Sequence, residues 1–220
     1  MNKEKIILAG AAITLVFIIL FTSLQIISFN RSFYREKFDQ YGVYTEFEGN
    51  KTLVDNEFDY VLSYLEGSEK EIKSTFYNEK EKRHLKDVKQ LFQTASVLLW
   101  LSIGLLVMLG FYLLRTKQMS VLLRGLILGS ASLLGLNLLL LVSVILQFNA
   151  SFVVFHQLLF SNNLWILNPV TDNLINLLPP QIFYDLALKL AVIITLISTL
   201  VLIGSYVIKR YWRQNASKKN

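Results

Sequence analysis

Four stretches of the chain, 6–27, 94–114, 121–147 and 190–208, are apolar and almost free of charge; Arg124, near the start of the third, is the one exception. A helix rises about 1.5 Å per residue, so each stretch is long enough to cross the roughly 30 Å hydrocarbon layer of a bilayer. The third is long enough to tilt or to project beyond the bilayer. Between the runs the pattern changes. In "NEFDYVLSYLEG" Phe58, Val61, Leu62 and Leu65 recur at helical spacing, with Asp55 or Asn56 as the expected cap and Gly67 as the stop. "NEKEKRHLKDVKQLF" opens at an Asn78 cap, places Leu85, Val88, Leu91 and Phe92 on one face, and runs directly into the second apolar stretch. One continuous helix is expected there. "ASFVVFHQLLF" is too short to span, and "SNNLWILNP" after it reads as a turn-rich break. "VTDNLINLLPPQIF" then predicts a second short apolar helix, capped by Thr171 or Asp172 and stopped by Pro179-Pro180. Short uncharged helices between spans read as interfacial or re-entrant. The aromatics Phe29, Phe33, Tyr34, Phe38, Tyr41, Tyr44 and Phe47 fit either membrane-interface anchors or a folded segment, and are denser than one interfacial belt requires.

Composition agrees with this picture: 53% of residues are hydrophobic, mean hydropathy is +0.45, and there are three prolines. The expected fold class is an all-α integral membrane protein, with four transmembrane helices and a mainly helical extracytoplasmic cap. Its segments are 1–28 (N-terminal tail and first span), 29–93 (cap), 94–148 (second and third spans with a short basic loop), 149–185 (short apolar helices completing the cap) and 186–220 (fourth span and basic tail). The first apolar run exceeds a signal-peptide core and is followed by no small-x-small cleavage site, so it reads as an uncleaved anchor. Charge sets the orientation. Lys3 and Lys5, then Arg115, Lys117 and Arg124, then Lys209, Arg210, Arg213, Lys218 and Lys219 mark three flanks that carry almost no acid. Segment 29–93 is balanced, with 11 basic and 13 acidic residues. Both termini are therefore expected in the cytoplasm of a multi-pass cell-membrane protein, with the cap outside. The net charge of +6 is explained by these flanks, and no nucleic-acid partner is implied. With no cysteine, disulfides and thiol nucleophiles are excluded.

Candidate chemistry then narrows to two histidines. His84 has Glu81 three residues before it and Asp87 three after, so both carboxylates can reach the ring and favour its charged form; the competing reading is a solvated charge run. His156 sits among Phe152, Phe155, Phe160 and Trp165, either as a packed core histidine or as a functional one kept neutral by desolvation. No GxSxG elbow, HExxH zinc motif or Gly-rich phosphate loop occurs.

"EKRHLKDVKQLF" (81–92) and "FHQLLFSNNLWILNPVTDNLINLLPPQIF" (155–183) together resemble the lipoprotein intramolecular transacylases of Gram-positive bacteria. The resemblance implies a membrane acyltransferase acting on diacylglyceryl-modified lipoproteins. It would move the sn-2 acyl chain to the α-amino group of the N-terminal cysteine, without a cofactor or metal. It also implies that His84 and His156 are the catalytic pair. In that setting His156 is expected as the neutral base and His84 as the acid or orienting group, supported by Glu81 and Asp87. Asp172, Asn168, Trp165 and Tyr44 are expected around the pocket, and Phe155 and Phe160 in its dry wall. The substrate's own amine would be the nucleophile, which suits a chain with no marked serine or cysteine. The alternative is a non-catalytic four-span scaffold or transporter subunit, although the spans show neither inverted repeats nor central charges.

Overall fold

In a computed structural model, which describes residues 3–217, the chain is helical throughout its regular structure: α1 (Lys3–Ser28), α2 (Arg31–Gln40), α3 (Val43–Glu46), α4 (Lys51–Glu66), α5 (Glu79–Arg115), α6 (Met119–Leu146), α7 (Phe148–Leu159), α8 (Asn173–Leu177) and α9 (Pro180–Ser217). Four of these, α1, α5, α6 and α9, are long and apolar enough to cross a bilayer. The side chain of Arg213 and the whole of Lys218 and Lys219, part of the expected basic tail, lie outside the described residues.

Several boundaries differ from the sequence expectation. Helix α4 begins earlier, because Asn50 rather than Asp55 or Asn56 is its cap and accepts the Leu53 N–H at 3.0 Å. Its stop is as expected: Gly67 takes φ 96°, where a side chain would be strained. Asn78 does open α5. Its side chain accepts the Glu81 N–H at 3.1 Å while Glu81 accepts the Asn78 N–H at 2.7 Å, a reciprocal capping box. The short helix after Asp172 is only Asn173–Leu177, and Pro180 begins α9 instead of ending a helix. A proline fits a first helical position, where its missing N–H has no intrahelical partner to lose. The fourth long helix thus starts well before its apolar stretch.

The chain divides into two units. The first comprises Met1–Gln25, Ser96–Val142 and Leu190–Asn220. Its core has two clusters, Ala11, Leu113, Val121 and Leu122, and Leu15, Ile19, Leu133 and Ile194. Helix α6 meets α1 through glycines: a Cβ on Gly125 would stand 2.8 Å from the Ala11 Cβ, and one on Gly129 would stand 2.7 Å from the Ala12 carbonyl oxygen. Close small-residue approach of this kind holds helices together where lipid removes the hydrophobic incentive. Asn137, buried, donates to the Ala191 carbonyl and to Thr195 Oγ1, each at 3.0 Å. Trp100, Leu139 and Leu200 point outward, as lipid-facing side chains of a bundle do.

The second unit comprises Ile26–Ala95 and Ser143–Lys189. Here the aromatics of α2 and α3 turn inward. Phe38 meets Phe58 edge-on at 5.1 Å and Tyr44 at 5.9 Å, and Tyr34 lies 4.6 Å from Phe58. They form a folded core and are not interfacial anchors. Asp185, near the start of α9, receives Lys37 Nζ and Tyr41 OH at 2.8 Å each, which ties α9 to α2.

Candidate active site

The first turns of α5 carry a dense set of charges, and the apolar stretch that can cross a bilayer begins only near Thr94. His84 lies in those early turns, with 8% of its surface exposed. His156 lies near the end of α7, at 9%. The fold brings the rings of these two residues to a centroid separation of 6.4 Å, inclined by 35°.

Each imidazole is set by its neighbours. His156 Nδ1 lies 2.7 Å from the Phe152 carbonyl, one turn earlier on the same helix. A carbonyl can only accept, so Nδ1 carries the proton and Nε2 is left as the lone-pair nitrogen. Trp165 stacks on the ring at 4.9 Å and 28°, Phe160 at 5.7 Å and 27°, and Phe152 comes within 4.2 Å. Phe155 reaches it edge-on at 5.4 Å. Phe160 also meets His84, at 5.1 Å. His84 Nδ1 is buried with no hydrogen-bond partner. Burial, and then the neighbouring His156, push the His84 pKa down to about 4, with Asp87 opposing. Burial also lowers His156, against the Phe152 carbonyl. Both rings are therefore neutral at physiological pH.

This overturns the expectation that Glu81 and Asp87 clasp His84 and hold it charged. The Glu81 carboxylate is 1% exposed and turns away to two backbone groups, the N–H of Asn78 and that of Leu174 at 2.6 Å. Burial raises its pKa and those two bonds oppose the rise. Asp87 accepts from Asn162 Nδ2 at 2.9 Å. A buried cap must satisfy helix-end N–H groups, which outbids a histidine one turn away.

Asp172, 3% exposed, accepts from Lys80 Nζ at 3.0 Å, Asn78 Nδ2 at 2.8 Å, Thr171 Oγ1 at 3.0 Å and the Asn168 N–H at 2.8 Å. Burial works against its charge, but these bonds prevail and depress its pKa to about 2. Asn168 shapes the same loop, accepting the Val170 N–H. Asp172 and Asn168 thus build the segment that carries Trp165; among the described residues no hydrogen bond or ion pair joins either to the histidines. Tyr44 is placed elsewhere, with its hydroxyl donating to Asp55 at 2.9 Å and its ring beneath Lys51. Sequence reasoning did not single out Asn162 or Lys80. The turn at Asn162, whose side chain accepts the Leu164 N–H, is legible in "SNN", but its reach to Asp87 across 75 positions is not. Among the described residues, no three His, Asp or Glu side chains gather as a metal-ligand set.

A sequence model of the family described as lipoprotein intramolecular transacylase Lit matches residues 9–183. The chain belongs to the Lit family. Its fold is also that of solved structures of the membrane-integral lipoprotein intramolecular transacylase Lit from Bacillus cereus. One is 22% identical with a TM-score of 0.79, covering 98% of each chain. Another, with a histidine-to-alanine substitution, is 23% identical with a TM-score of 0.77, covering 98% of this chain and 96% of that one. A third, with a histidine-to-arginine substitution, is 22% identical with a TM-score of 0.76, covering 99% and 95%. No curated protein matches the chain. As a Lit family member the chain is a multi-pass membrane acyltransferase acting on lipoprotein substrates, and the scaffold and transporter readings fall away.

Proposed function

We propose that His84 and His156 are the catalytic pair of an O-to-N acyl transfer within one substrate molecule. The sn-2 acyl chain of a diacylglyceryl lipoprotein passes to the α-amine of its N-terminal cysteine, leaving the lyso-form product. The observation that supports this reading best is the pairing of two neutral, buried imidazoles at 6.4 Å inside an aromatic wall.

The attacking amine has a pKa of about 8 and must lose a proton on forming the amide. The glyceryl oxygen must gain one as it leaves. His84, neutral, suits taking the amine proton and passing it on to the leaving oxygen, while His156 Nε2, which carries a lone pair, suits accepting a hydrogen bond from the attacking amine; the roles expected from the sequence are thereby exchanged. The N–C bond forms, the C–O ester bond breaks, and no net proton is consumed. Amine nitrogen, Cα, Cβ, sulfur, two glyceryl carbons, ester oxygen and carbonyl carbon close an eight-membered cyclic arrangement. Such a ring is entropically unfavourable, so holding the substrate folded is the enzyme's principal task. Phe152, Phe155, Phe160 and Trp165 supply a water-poor surface that protects the ester from hydrolysis.

The basic flanks support an orientation with both termini in the cytoplasm and the His84–His156 unit outside the cell membrane. The test is expression of wild type, His84→Ala and His156→Ala in a host unable to N-acylate lipoproteins, followed by mass fragmentation of a lipoprotein N-terminal peptide. Wild type should yield N-acyl, S-monoacylglyceryl cysteine and both variants a free amine. A free amine with wild type defeats the transacylase reading; full activity in both variants defeats only the histidine pair.

A further inference from the structure

One turn beyond His84 stands a carboxylate that no cation among the described residues neutralises. Most acidic groups of the second unit are already matched. Asp55 and Asp59 face Arg35, Glu66 faces Arg31, Asp172 takes Lys80 and Asp185 takes Lys37. Glu81 is saturated by two backbone N–H groups. Asp87 is half-buried and takes part in no ion pair. Its single hydrogen bond is from Asn162 Nδ2 to Oδ2. Oδ1 is neither bonded nor buried. Residues three apart share a helix face, with Cβ atoms about 5–6 Å apart, so a group held on Oδ1 is within reach of the His84 ring.

A half-buried carboxylate costs free energy until a counter-charge arrives. The substrate of the proposed reaction brings one, because an α-amine with a pKa of about 8 is mostly ammonium at neutral pH. We propose that Asp87 is a binding residue for the α-ammonium of the lipoprotein's N-terminal cysteine, held through Oδ1 one helical turn from His84; this rests on the transacylase reading. The ammonium is thus anchored as a cation before His84 removes its proton. Substrates with a free amino terminus are thereby preferred over those whose terminus is neutral.

The test uses the purified full chain turning over a synthetic dipalmitoylglyceryl-cysteine peptide. Two inhibitors carry an ether at sn-2, so neither can transfer an acyl chain; one keeps the α-amine and the other has hydrogen there. Wild type should bind the amine analogue about ten- to a hundredfold more tightly, the range of a charge-assisted hydrogen bond. Asp87→Asn should abolish that preference and raise KM for the free-amine peptide. Asp87→Glu, which keeps the charge, and Asn162→Ala, which removes the bond to Oδ2 but keeps the carboxylate's charge and Oδ1, should both retain it. The proposal is overturned if wild type shows no preference, if Asp87→Asn keeps it, or if Asn162→Ala loses it equally. Absence of N-acyl product with wild type would instead reject the underlying reaction.

Discussion

Glu81 accepts the backbone N–H of Leu174 at 2.6 Å, across 93 positions of sequence. The same side chain closes the first turn of α5. A residue that looks from sequence like a partner for His84 is in fact a two-way clasp, joining the start of the histidine helix to α8. With Glu81 engaged elsewhere, burial and the neighbouring His156 leave His84 neutral. Three more bonds follow the same course: Asn78 to Asp172, Lys80 to the Ile166 carbonyl, and Asn162 to Asp87.

Glu81→Gln tests that clasp. A carboxamide has one acceptor oxygen in place of two, so one buried N–H loses its partner, at a cost of about 1–3 kcal/mol. A lower thermal midpoint in detergent is expected, together with faster proteolysis between residues 160 and 178. An unchanged midpoint would show that water replaces the missing bond.

Asp172 predicts how acid weakens the structure. Its pKa is about 2 in the fold, below an ordinary value near 3.8. The unfolded chain therefore binds the proton first as pH falls. The stabilisation is fully present above pH 4 and is lost as pH falls toward 2. Asp172→Asn should lower stability by about 1–3 kcal/mol at pH 6, a range moderated by the 38% exposure of Lys80. It should also flatten the dependence between pH 4 and 2. Parallel curves for variant and wild type would contradict the assignment.

His84 predicts the acid limb of the activity profile. With a folded pKa of about 4, down from 6.5, the free base persists well below neutrality. The fall of kcat/KM at low pH should be centred below 6.5, while the folded state loses stability from about 6.5 downward as the unfolded ring protonates first. Phe160→Ala opens both rings to water, so it should move the limb toward 6.5 and lower kcat. A limb that stays in place would mean Phe160 is not what keeps the histidines dry.

The α1–α6 contact predicts a steric threshold. Gly129→Leu places carbon where the Ala12 carbonyl already stands and should cost about 1–3 kcal/mol by forcing the helices apart. Gly104→Ala is the control, since nothing lies within 4 Å of its new Cβ, and no loss is expected. Equal thermal midpoints for the two variants would show that α1 shifts freely.

Hydrophobic period and length alone determined the four long helices, the continuous helix through His84 and the short helix bearing His156, because bilayer thickness and helical rise leave little choice for such runs. The two histidines stood out for the same local reason: one lay in a charge run and the other in grease. The end of α4 at Gly67 and the opening of α5 at Asn78 were also local, since a cap bonds within a turn. What tertiary structure decided were the partners. Tyr34 and Phe38 became core because Phe58 of α4 lies against them, a contact no periodicity encodes. Glu81 left His84 for Leu174, Tyr44 went to Asp55, and Asn162 reached Asp87, because a side chain takes whatever complementary group folding brings to it. The neutrality of the imidazole pair belongs to the same class. It depends on burial and on the approach of two rings from distant segments, and neither exists until the chain has folded.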